Sequence, residues 1–292
     1  LAEAERWFAR GLGRDSTPLS TLFRDAPAAP GYPTDYSIFT VVRDVFFDTV
    51  DPKRFVFNGV QRYPDVEAPY LKALGWYVDG MPALYRELRR RGIRVTNLAN
   101  EVVDGEEPPA APGGNLMFFT VPEDAGLRYQ LYREGPFPLD RRTMPGWVLP
   151  AVEGDDPLQI ERCSHHTVLT RQPERALKLV VDVLGGRVVH EGPSRVLAAT
   201  STFVQLADAV FEYAVPDVGS SLEATLAKQA PLDAYYGVTW RVGDLARVER
   251  HLAECGAHIQ ARAADTIVTD PNTSFGVAWG FTTGALPGVT SA

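Results

Sequence analysis

Cysteine is scarce: Cys163 and Cys255 are the only two in 292 residues. Two such distant thiols exclude a disulfide framework and offer no metal-type spacing, and they point to a reducing, cytoplasmic setting. No apolar run approaches the roughly 20 residues that span a bilayer, so no membrane segment is expected. Positive charge is also short, with 29 Lys and Arg against 37 Asp and Glu and a formal charge of -8. That balance argues against nucleic acid or an anionic membrane as partner. The basic run Arg89-Arg90-Arg91 ends an expected helix, where it complements the helix dipole. Neither a GxGxxG nor a Walker-type loop occurs, which removes the usual glycine-rich phosphate cradles. The chain opens on Leu1 rather than Met and in a helical pattern, so residues before it are expected.

What the chain does have is repetition. Amphipathic helical patterns run over 2–13, 81–92, 173–185 and 244–256, and each ends in Gly, the residue that stops a helix in the left-handed region. An apolar strand generally follows: 93–95, 187–189 and 257–259. Short alternating strands precede three of the helices, at 73–78, 165–170 and 237–242. Strand-like segments come after each helix, most clearly the hairpin 201–206 and 210–215 about Ala207-Asp208. The unit reads βαβββ, and there are four, the first opening at its helix. A doubly wound sheet would instead alternate strand and helix regularly.

The fold class expected is α+β, with the four modules paired into two half-open barrel domains. Residues 1–134 form the first domain, the Pro-rich stretch 135–160 the linker and 161–292 the second domain. The Pro/Ala stretch 108–114 is expected as a loop within the second module.

The third module, HHTVLTRQPERALKLVVDVLGGRVV followed by TFVQLADAVFEYAVP, resembles the opening and closing of a vicinal oxygen chelate module. VTWRVGDLARVERHLAECGAHI and DPNTSFGVAWGF in the fourth module fit the same template, as do LAEAERWFARGLG and LGWYVDGMPALYRELRRRGIRV. That superfamily contains glyoxalases, bleomycin-resistance proteins and extradiol dioxygenases. The resemblance implies a cup that holds a small-molecule substrate or ligand, often on a divalent metal such as Fe, Mn, Ni or Zn. It implies ligands at the start of a module's first strand and the middle of its last. Oligomeric state stays open, a homodimer among the possibilities.

Those positions carry His165 and Glu212 in the third module, with alternation placing His165, Thr167 and Leu169 on one strand face. In the fourth module they carry Gly237 and, approximately, Val277, neither of which ligates a metal. The N-terminal half offers Asp48, Gln130 and Ala73, a poor transition-metal set. His165 and Glu212 are therefore an incomplete metal site, an acid/base couple with the carboxylate orienting the imidazole, or structural residues. His190, His251 and His258 are read as structural or solvent-exposed. Aromatic candidates for a cavity wall are Trp76, Tyr77, Tyr235, Tyr236, Trp240 and Trp279. Counting from the helix puts Tyr235, Gly237 and Thr239 inward, and Trp279 with Val277. Three functions follow: a glyoxalase- or dioxygenase-like enzyme with a metal on His165 and Glu212, a metal-free isomerase or lyase using the same pair, and a sequestering protein without chemistry.

Overall fold

A computed structural model describes the chain apart from residues 25–27, 29, 58, 111–114, 134, 136, 287 and 290–292. The end of the loop expected at 108–114 and one residue of the expected linker thus lie outside the described residues. The fold is α+β and the four repeats are present.

Each helix forms where apolar residues recur at helical spacing. Ala2–Gly11 buries Ala4 and Phe8, Met81–Arg90 buries Met81, Tyr85 and Leu88, and Leu245–Glu254 buries Val248 and Leu252. Asp244 caps the last of these, its carboxylate accepting from the amides of Ala246 and Arg247. The third helix is α-wound over Pro173–Leu177 and widens to a π turn over Lys178–Val183. Gly13, Gly92, Gly185 and Gly256 all have φ between 67° and 78°, the left-handed stop anticipated for them. Among the described residues no helix is long and apolar enough to cross a membrane.

One strand order recurs: first, last, third, second. In the second module it runs Ala73–Val78, Arg128–Arg133, Met117–Thr120, Val95–Thr96, with the short Val102–Val103 beyond. In the third it runs Ile160–Leu169, Ala209–Pro216, Ala199–Leu206, Arg187–Pro193. The fourth follows with Ala234–Val242, Ala278–Thr282, Thr266–Thr269, Ile259–Arg262. In the second and third modules the first and last strands pair in parallel, while the hairpins pair antiparallel. The first module shows the remaining three strands, Ser16–Pro18, Ser37–Val42 and Val45–Val50.

The chain condenses into two compact units made of separated stretches. The first gathers 1–69, 135–163 and 240–283; the second gathers 70–134, 164–239 and 284–292. The expected domains, 1–134 and 161–292, would group the modules otherwise, first with second and third with fourth.

Within the first unit the stretch 135–160 is bound to the first module rather than swinging free. Arg142 pairs with the buried Asp140 and donates to the carbonyl of Asp44, and Arg43 donates to the carbonyls of Pro150 and Ala151. Phe137 and Leu139 join an apolar cluster around Leu19, Tyr36, Phe39 and Phe55.

Candidate functional site

In the second unit, parallel pairing sets Thr167 beside Glu212 and antiparallel pairing sets Phe203 on its other side. Alternation then gives one strand face to His165, Thr167, Ser201, Phe203 and Glu212. The opposite face is closed: Phe211 packs on Trp76 at 5.5 Å, and the hydroxyls of Tyr213 and Tyr129 lie 3.2 Å apart. His166 belongs to that closed face, stacked on Phe211 at 5.3 Å.

Glu212 is the centre of the site and is 2% exposed. Thr167 Oγ1 donates to its Oε2 and Ser201 Oγ to its Oε1, each at 2.7 Å. Nε2 of the half-buried His165 stands 3.5 Å from Oε2. Burial pushes the carboxyl pKa up, but the His165 imidazole, joined by the two hydroxyls, outweighs it and leaves the pKa below its ordinary value. Glu212 is therefore a fixed anion. Nδ1 of His165 lies 3.2 Å from Ser164 Oγ. The His165 ring is edge-on to Phe203 at 5.4 Å, and His190 packs on the same phenyl ring at 6.0 Å. His190 pairs directly with Phe203 across the strands, so a second imidazole shares the site face. Counting cross-strand partners from Glu212 would have revealed it; read singly, it looked structural.

The same lattice positions recur with other chemistry. In the first module Ser37 Oγ donates to Asp48 Oδ1 at 2.5 Å and Phe39 is the cross-strand partner of Asp48. In the second, Gln130 pairs with Gly75 and Phe119, its Nε2 lies 3.7 Å from Met117 Sδ, and Ala73 takes the place of His165.

The other expected site residues fall elsewhere. The hydroxyl of Tyr235 lies 2.6 Å from Nδ1 of His166, which places Tyr235, and by alternation Gly237 and Thr239, on the closed face. Tyr236 is the residue on the His165 side, packed with Leu169 and Ala214. The reason is turn length. Two residues separate Leu169 from the helix-capping Gln172, whereas Gly243 alone separates Val242 from Asp244. Counting back from the helix therefore slips by one, and a slip of one changes the face; Val238 stands where His165 does. Trp279 lies in the other unit, 1% exposed, stacked on Trp7 and Trp240 with its indole N–H on the carbonyl of Ser274. It is a core residue there. His251 is engaged locally, its Nε2 2.9 Å from the carbonyl oxygen of Arg10.

Among the described residues no group of three or more His, Cys, Asp or Glu side chains converges. His165 and Glu212 supply two donors, and Glu212 already accepts from two hydroxyls. Catalytic transition-metal sites use three protein ligands, so this pair does not by itself make one.

The candidate site is thus a histidine–carboxylate couple on one sheet face of a repeated βαβββ module. No protein-family model and no curated protein matches the chain. Solved structures do match. A mutant of 4-hydroxymandelate synthase from Streptomyces coelicolor aligns over 98% of this chain and 91% of its own, with a TM-score of 0.60 and 14% identity. Methylmalonyl-CoA epimerase from Mycobacterium tuberculosis covers 47% of this chain and 92% of its own, at a TM-score of 0.37 and 16% identity. A variant epimerase from Streptomyces coelicolor, in complex with 2-nitronate-propionyl-CoA, covers 44% and 99%, at 0.38 and 13%. The full-length match shows that the chain shares the overall fold of that synthase. At 14% identity the likeness is one of fold alone.

Proposed function

We propose that the protein is a small-molecule enzyme of the isomerase or lyase type, in which His165 moves a proton and Glu212 holds the imidazole for it. The observation that carries this reading is the anchoring of Glu212: a buried anion, fixed by Thr167 and Ser201, 3.5 Å from Nε2 of His165. A buried carboxylate is costly to keep, and one aimed at an imidazole has a use in orienting it and stabilising its cation.

With Nε2–H directed at Glu212, the lone pair resides on Nδ1, where Ser164 now donates. A substrate proton taken by Nδ1 makes an imidazolium facing Glu212. Returning that proton to a different substrate atom completes an isomerisation; returning it to a departing group completes an elimination. The cost of keeping a buried carboxylate beside an imidazole favours chemistry over sequestration.

Long-range 15N–1H NMR of the imidazole tests the assignment. The expected neutral form carries its proton on Nε2; a proton on Nδ1 would sink the base role. With a substrate in hand, His165→Ala is expected to lower turnover about 10²- to 10⁴-fold with the fold intact. Near-stoichiometric Fe, Mn, Ni or Zn in the purified protein, lost in a His165→Ala/Glu212→Gln variant, would overturn the metal-free reading in favour of a metalloenzyme.

A further inference from the structure

Asp48 holds a position in the first unit that the proton-transfer chemistry does not use. Its side chain is open to solvent, yet protein crowds it enough that burial pushes its carboxyl up to about 6 despite the Ser37 hydrogen bond. Aromatic rings share its strand face. Phe39 is its cross-strand partner and Phe46 lies two residues before it. These two rings stack at 5.1 Å, and Phe137 stands edge-on to both, at 5.8 and 5.9 Å. The hydroxyls of Tyr32 and Tyr36, 2.7 Å apart, are near enough for the Asp48 charge to raise the pKa of both phenols, although burial is the larger cause.

Among the described residues no Lys or Arg pairs with Asp48. Arg142 sits 6.0 Å from the centre of Phe46 and is paired with Asp140. A carboxylate can accept about four hydrogen bonds, and Ser37 supplies one. An anion among π faces is unfavourable alone and suits a positive guest, because carboxylate and ring faces both attract a cation.

We infer that this face of the first unit binds a small organic cation, an amine or quaternary ammonium with an apolar body. The charged group sits on Asp48, and the body lies against the partly exposed rings of Phe46 and Phe137, which Phe39 backs from the core. The Glu212 couple differs, because that carboxylate is buried, accepts from two hydroxyls and faces the His165 imidazole.

Isothermal titration of the full chain tests this with three probes of one shape class: benzyltrimethylammonium, benzyl alcohol and benzoate. The cation is expected to bind about tenfold or more tightly than the alcohol, and benzoate more weakly than either. Asp48→Asn, which preserves shape and the acceptor for Ser37, is expected to weaken the cation about tenfold and leave the alcohol within about twofold. His165→Ala is expected to leave all three unchanged, which separates this site from the proton-transfer couple. Equal binding of cation and alcohol in the wild-type protein overturns the proposal without any variant. So does the absence of binding, or loss of the cation in His165→Ala but not in Asp48→Asn.

Discussion

Ser201 stands to Glu212 as Ser37 stands to Asp48: in each pair a hydroxyl donates to a carboxylate from the neighbouring strand, two residues before a phenylalanine that faces the same acid. The two acids nevertheless move in opposite directions. Burial raises both, and a single serine does not offset it at Asp48. At Glu212 an imidazole and a second hydroxyl tip the balance downward. The decisive difference is the opening strand of the third module, which brings His165 and Thr167 alongside.

Acid should therefore weaken the native state through Glu212. Its folded pKa lies below the ordinary 4.5, so its contribution is complete above that pH and is lost as pH falls through the lowered value. Urea midpoints measured down the acid limb should converge between wild type and Glu212→Gln; a constant gap would contradict the shift.

Asp48 carries the opposite sign. Its carboxyl rises from 3.8 to about 6, so the folded chain holds this proton longer than the unfolded one. Stability from this group falls as pH rises between those values. Asp48→Asn should gain on the wild type over that interval, and 13C NMR of the carboxyl gives the midpoint directly.

Removing one anchor of Glu212 tests the buried network. Ser201→Ala or Thr167→Val should each cost about 1–3 kcal/mol, since a buried carboxylate oxygen loses a donor. The Glu212 titration should move upward in both variants. Unfolding free energies with unchanged carboxyl titration would show that water replaces the hydroxyl.

Trp279 and Tyr235 should behave as packing residues. Trp279→Ala is expected to destabilise by about 3–5 kcal/mol through the cavity it leaves in the aromatic cluster. Tyr235→Phe should cost about 1 kcal/mol by removing the 2.6 Å bond to His166. Neither should alter binding of ligand on the Glu212 face, and a selective loss of ligand affinity would return Tyr235 to the site.

The repeats were legible because glycine has a distinct role after a helix and hairpins have a distinct alternation; Gly185 and Ala207-Asp208 mark both. The pairing of His165 with Glu212 was legible because each lies at a fixed place within its strand. Tyr235 and Gly237 were assigned to the wrong face because facing depends on parity, and one residue fewer in the turn at Gly243 reverses it. Ser201 and Thr167 were not singled out, since a serine or threonine in a strand gives no local sign of an acid across the ladder. His190 was missed for the same reason.

The interleaving of the compact units bears on how the polypeptide is made. Residues 1–69 are made before residues 240–283, which complete the same unit. The aromatic surfaces of the helix Ala2–Gly11, Trp7 and Phe8, have no partner in Trp279 until more than 250 further residues are made. Contacts so far apart in sequence close slowly and leave apolar surface open meanwhile. A nascent chain stalled before residue 240 leaves Trp7 and Phe8 as an orphaned hydrophobic patch, a natural target for a holding chaperone.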